Sequence, residues 1–128
     1  MKRALLIFAC MAIALSVQAL DWKTIKANEK SMTEAQFDQF LDQHVEGKSV
    51  WWKGWVDDVE RDGDSYRVKV DMDSPDTLFS VPEIWLDNVS EYTALRLKVD
   101  QKVTFSGQIT DVSKSIYLSI TIAKPSIR

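Results

Sequence analysis

The sequence predicts a mainly β chain: a five-stranded Greek-key barrel of the OB type behind an N-terminal α-helix. A short helical segment falls between strands 3 and 4. Three observations carry this. The apolar period changes from 3.6 to 2 at Gly47. Five alternating runs follow, with helical character between the third and the fourth, which is the element order of such a barrel. Gly54 and Gly107 lie inside the first and fourth runs, where a small closed barrel has to bend its strands.

Residues 1–19 read as a secretory leader. Lys2 and Arg3 form a basic start, Ala4 to Leu15 is an uncharged apolar run, and Val17-Gln18-Ala19 offers small side chains for cleavage. The run is too short to remain as a transmembrane anchor. Cleavage after Ala19 leaves Leu20 to Arg128, 109 residues, as one domain in the periplasm or outside the cell. A chain of that size buries roughly 65% of its unfolded surface, enough for a core without covalent staples. The only cysteine, Cys10, departs with the leader. As a lipoprotein acceptor, Cys10 would have only Ala4 to Ala9 before it and no small pair, so soluble export is expected.

The full chain has 16 Lys and Arg against 19 Asp and Glu, a formal charge of −3; losing Lys2 and Arg3 leaves 14 against 19, or −5. That field opposes nucleic acid, whose binders neutralise phosphates with clustered cations. No second apolar run approaches membrane-spanning length, and there are no repeats.

Residues 20–46 form an arm and a helix. Leu20 to Lys30 has no clear period. Ser31-Met32-Thr33-Glu34 reads as a capping box, with Ser31 and Glu34 exchanging hydrogen bonds. Phe37, Phe40, Leu41, His44 and Val45 then line one helical face, and Gly47 is placed to end the helix.

Residues 47–128 form the barrel. Strand 1 (49–59) turns Val50, Trp52, Gly54 and Val56 inward and Trp51, Lys53, Trp55 and Asp57 outward. Arg61-Asp62-Gly63-Asp64 signals a tight turn. Strand 2 (65–73) has Tyr66, Val68, Val70 and Met72 inward and Arg67, Lys69 and Asp71 outward. Ser74-Pro75-Asp76 ends it, and Thr77 to Val81 is expected as a short strand 3. Ser90 to Leu97 suggests the helical crossing. Strand 4 (102–110) places Val103, Phe105, Gly107 and Ile109 inward; Asp111 to Ser115 is expected as a polar loop. Strand 5 (116–123) places Ile116, Leu118, Ile120 and Ile122 inward.

Two of these segments resemble a known family. Gly47-Lys48-Ser49-Val50-Trp51-Trp52-Lys53-Gly54-Trp55-Val56 and Asp100-Gln101-Lys102-Val103-Thr104-Phe105-Ser106-Gly107-Gln108-Ile109 are similar to the signature strands of the tRNA_anti-like family and the exported bacterial OB-fold (BOF) proteins. The resemblance spans about Gly47 to Ala123; Asp100 stands where the family usually has glycine. It implies an OB fold and an envelope location, and brings no catalytic residues with it. The N-terminal helix lies outside it, and the Pro82 to Leu97 segment, with Trp85, is longer than the family implies.

Little catalytic chemistry is legible. His44, the only histidine, lies on an apolar helix face far from any nucleophile, where a packed or capping role is expected. Without a cysteine after the leader, a thiol nucleophile or thiolate metal site is excluded. Asp71, Asp73 and Asp76 lack the spacing and the bidentate glutamate of a calcium loop, and read as a solvated acidic loop. No metal or cofactor is expected.

The candidate binding residues are Trp51 and Trp55 on the outer face of strand 1, with Arg67 and Lys69 beside them on strand 2. A turn centred on Asp62-Gly63 brings Trp55 near Lys69 and Asp57 near Arg67. OB folds take oligosaccharides and oligonucleotides on such a face through aromatic stacking. The same tryptophans could instead seat the apolar face of the N-terminal helix. The expected function is therefore a non-catalytic exported module that binds a ligand or an envelope protein through strands 1 and 2. The alternative is an inhibitor or immunity-type protein that plugs a partner's cleft with a loop or the Leu20–Lys30 arm. A hydrolase using carboxylates such as Asp57 and Asp71 ranks last, since no positioned pair is evident.

Overall fold

A computed structural model describes residues 20–78 and 80–128. The expected leader, residues 1–19, lies outside the described residues. Six strands run in chain order: β1 (Ser49–Asp62), β2 (Ser65–Asp71), β3 (Ile84–Val89), β4 (Lys102–Lys114), β5 (Leu118–Ala123) and β6 (Ser126–Ile127). Their pairing closes a ring, β1-β2-β3-β5-β4-β1, antiparallel throughout except for the parallel β3–β5 pair. This is the OB-type barrel, with β6 added along β4.

The core follows from strict alternation. Val50, Trp52, Val56, Val68, Val70, Val103, Phe105, Leu118 and Ile120 are all buried, as the alternation predicts. Phe105 meets the Trp52 ring edge-on at 6.3 Å. β1 is shared between two neighbours, pairing with β4 over its first half and β2 over its second. Gly54 stands at the changeover, where a Cβ would lie 2.5 Å from Val70 Cγ1 and 2.9 Å from the Asp71 carbonyl. The barrel closes there only because position 54 carries no side chain.

Among the described residues three α-helices complete the fold: α1 (Trp22–Ser31), α2 (Glu34–Phe40) and α3 (Glu91–Ala94). α3 is the expected crossing between the third and fourth strands, N-capped by Ser90. The Leu20–Lys30 segment is not an irregular arm but most of α1. The Trp52 indole N–H donates to the Leu20 carbonyl at 2.9 Å, Trp22 packs edge-on against Trp52 at 5.5 Å, and Ile25 is buried. α1 thus rests on the inward Trp52, while Phe37 and Leu41 of the expected helix join the buried core and Trp51 stays 59% exposed.

The capping box lies two residues later than expected. Ser31 ends α1, so Thr33 accepts from the Gln36 amide at 3.2 Å while Gln36 accepts from the Thr33 amide at 3.0 Å. α2 runs into a π-helical turn, Leu41–Val45, closed by the Glu46 amide on the Leu41 carbonyl. The wider turn suits the four-residue spacing of the buried Phe37, Leu41 and Val45. It leaves His44 exposed, tilted against Phe40 at 5.6 Å. Gly47 ends the segment with φ +85°, the left-handed conformation expected of it.

Other boundaries moved. Strand 3 lies at 84–89, not 77–81, because its inward residues Ile84, Leu86 and Val89 break the period where Asn88 turns to φ +57°. The expected loop 111–115 continues β4 to Lys114, paired with β5. Ile116 therefore sits in the turn, 80% exposed, and β5 starts at Leu118. Asp100, where the similar family has glycine, has φ +68°.

Candidate functional site

The outer face of β1, β2, β3 and β5 gathers the side chains with binding chemistry. Two local features set its register. The hairpin turns at Gly63-Asp64 with Asp62 opposite Ser65, and β1 bulges between Val56 and Asp58. Asp58 is thereby opposite Lys69 and Glu60 opposite Arg67, while Trp55 faces Asp71. The expected Trp55–Lys69 and Asp57–Arg67 neighbours are not formed. The turn sits one residue later than supposed, and the bulge adds a further slip.

Arg67 and Lys69 do come together, around Trp85 of β3. Trp85 is directly opposite Lys69, whose Nζ lies 4.8 Å from the ring centre; the Arg67 guanidinium lies 5.6 Å from it. The Trp85 indole N–H donates to Ser119 Oγ of β5 at 3.0 Å, fixing the ring across the parallel pair. Arg67 makes a two-pronged pair with Asp87, Nε to Oδ1 at 2.6 Å and Nη2 to Oδ2 at 3.2 Å. That pair raises the guanidinium's already high pKa. Lys69 is ion-paired with Glu60.

Trp55 is half-buried beside this cluster, with Lys102 Nζ 5.2 Å from its ring. Trp51 is elsewhere. It is opposite Ser106 of β4, 59% exposed, with Lys53 Nζ 5.5 Å from its ring and a small cleft toward Thr104, Ser126 and Arg128. Four residues of extended strand put it roughly 13 Å along β1 from Trp55.

The electrostatics near Trp55 are acidic. Partial burial, then the Asp71 and Asp58 carboxylates and, less strongly, Asp100 raise the Asp57 carboxyl above its ordinary pKa, although Lys69 opposes them. Asp71 is itself buried and accepts from the Asp73 amide at 2.9 Å. The face is thus an aromatic platform whose two central cations, Arg67 and Lys69, are each engaged by a carboxylate.

Sequence reasoning missed Trp85. It stands between the inward Ile84 and Leu86, so the alternation marking it as outward is present, but composition puts the expected strand before Pro82. Among the described residues, no three His, Cys, Asp or Glu side chains converge so as to hold a metal ion. No helix among them is long and apolar enough to cross a membrane.

No known family model matches the chain, and no curated protein is significantly similar to it. Among solved structures, the fold is similar to that of a candidate nucleic acid-binding lipoprotein from Klebsiella pneumoniae subsp. pneumoniae. The two are 18% identical over 91% of this chain and 87% of the other, with a TM-score of 0.48.

Proposed function

We propose that the protein is an exported, non-catalytic OB-fold module of the tRNA_anti-like or BOF kind that binds an oligosaccharide-like ligand on its Trp85–Trp55 face. Export rests on the leader pattern of residues 1–19, and the family on the two motif-bearing strands. The observation that carries the ligand class is the state of the cations. Arg67 and Lys69 flank Trp85 but are engaged by Asp87 and Glu60, and Trp55 stands opposite Asp71 in an acidic neighbourhood. A polyphosphate would have to displace those ion pairs against a negative field. A neutral polyhydroxylated chain can stack on the rings while its hydroxyls donate to the carboxylates and accept from the cations.

The inhibitor reading fits less well. An arm that plugs a partner's cleft would first have to leave Trp52 and the barrel mouth.

Tryptophan fluorescence titrations with neutral oligosaccharides, chitotetraose among them, and with a single-stranded oligonucleotide test the proposal. The expected result is saccharide binding insensitive to salt and weakened about 1–3 kcal/mol by Trp85→Ala. Tighter oligonucleotide binding that falls with salt would overturn the ligand class, and an unchanged Trp85→Ala variant would overturn the site.

A further inference from the structure

A second site lies at the barrel mouth, distinct from the Trp85 face. α1, Asp73 with residues 80–83, and the β4–β5 turn line an open cleft of about 250 Å³. Its walls carry Lys26, Glu29, Asp73, Glu83, Lys114 and Tyr117. That size suits a side-chain-sized group and falls below the ordinary range for a drug-sized ligand.

The charges are unevenly satisfied. Glu29 holds both lysines, with Lys26 Nζ at 2.7 Å from Oε1 and Lys114 Nζ at 2.7 Å from Oε2. Lys26 also reaches Glu83 Oε2 at 3.0 Å. Three carboxylates thus face two ammoniums, and both ammoniums converge on Glu29. Glu83 is only 7% exposed and has a share of one lysine, while Asp73 has no ion-pair partner among the described residues. Burial, opposed by Lys26 and reinforced by Glu29 and Asp73, raises the Glu83 pKa. At the rim, Ile116 and Tyr117 are 80% and 59% exposed. Exposed apolar and aromatic side chains beside a cleft are a usual mark of recognition.

We infer that this cleft takes a cationic alkyl group, an ammonium or guanidinium on an aliphatic stem. The cation would sit toward Glu83 and Asp73, and the stem against Tyr117 and Ile116. Carboxylates that outnumber the ammoniums around them accept charge-assisted hydrogen bonds from such a group, and the Tyr117 ring on the same cleft adds cation–π attraction. An anion would meet the surplus carboxylate, with both lysines already held.

The test is an NMR titration of the purified protein with n-butylguanidinium, and with n-butylurea as its neutral counterpart of the same shape. Butylguanidinium should bind at least about tenfold tighter than butylurea, since one charge-assisted hydrogen bond is worth that much. It should shift the amides of Ile116, Tyr117 and Leu118. Glu83→Gln should weaken it about tenfold and the exposed-site variant Asp73→Asn severalfold, whereas Trp85→Ala should leave it unchanged. Equal binding of the two probes overturns the inference. So does unaltered affinity in Glu83→Gln and Asp73→Asn, each verified as folded by its thermal transition. Repeating the titration with a short arginine-containing peptide separates the sources. Affinity above that of butylguanidinium supports a basic side chain on a protein partner, and equal affinity supports a free amine or guanidine.

Discussion

Gly54→Ala is the sharpest probe of how this barrel closes. The new methyl would lie 2.5 Å from Val70 Cγ1, 2.9 Å from the Asp71 carbonyl oxygen and 3.2 Å from Met72 Sδ. The methionine can swing away, but the other two cannot. Val70 is fully buried and β-branched, so its χ1 is stiff, and the carbonyl belongs to the β1–β2 ladder. Overpacking a core by one carbon costs about 1–3 kcal/mol, and two hard contacts put this site near the upper end. Alanine regains about 0.5–1 kcal/mol because it loses less backbone entropy than glycine on folding. The net expectation is a loss of about 2 kcal/mol, or a fall of more than about 1 M in urea midpoint at a slope near 1.5 kcal/mol/M. Urea unfolding followed by tryptophan fluorescence measures it. Combining the change with Val70→Ala should recover about 1 kcal/mol as coupling, because removing Cγ1 opens the space. A midpoint unchanged or raised by Gly54→Ala would refute the claim that β1 changes partners through a contact only glycine permits.

Phe105→Ala should cost about 3–5 kcal/mol in chemical denaturation, since it removes a fully buried ring that supports Trp52. Asp100→Gly should raise stability by about 0.5–1 kcal/mol, measured as a thermal shift, because glycine takes φ +68° at less steric cost than aspartate and the carboxylate adds to the repulsion at Asp57. Glu83 predicts a pH dependence. Its folded pKa is raised above the ordinary 4.5, chiefly by burial, so the folded chain holds this proton more tightly than the unfolded chain and stability falls as pH rises above 4.5. Glu29 acts oppositely. Burial pushes its pKa up, but hydrogen bonds from Lys114 and Lys26 bring it below 4.5, so it contributes stability that is lost as pH falls under that value. Denaturant midpoints measured from pH 4 to 7 should fall less steeply above pH 4.5 in Glu83→Gln than in the parent, and a parallel decline would contradict the assignment.

The candidate site shows where reading along the chain reaches its end. Trp51, Trp55, Arg67 and Lys69 do point outward, because strand alternation decides which face a side chain takes. Which of them meet depends on register, and register depended on a turn one residue later than expected and on a bulge at Asp57. The turn leaves no mark in the hydrophobic pattern, and the bulge leaves only the step from inward Val56 to inward Val59, three residues where alternation gives two. Trp85 was hidden for a related reason. Thr77 to Val81 has the composition of a strand, yet Ile84 to Val89 is the segment whose backbone pairs with both β2 and β5.

The sequence by itself determined the barrel and most of the core that strands 1, 2, 4 and 5 supply. Periods of 3.6 and 2 are local consequences of backbone geometry, and burying an apolar face is the dominant favourable term in folding. The same local rules set the left-handed residue at Gly47 and the Ser90 cap of α3. Only the tertiary structure decided that α1 forms and docks on Trp52, that Glu83 is buried beneath Lys26, and that Arg67 and Lys69 gather around Trp85 rather than Trp55. These contacts join residues sixteen or more positions apart in the chain, or follow from where a strand begins. Short polar stretches carry no periodic signal for either, so the partners are chosen by what the closed barrel brings within reach.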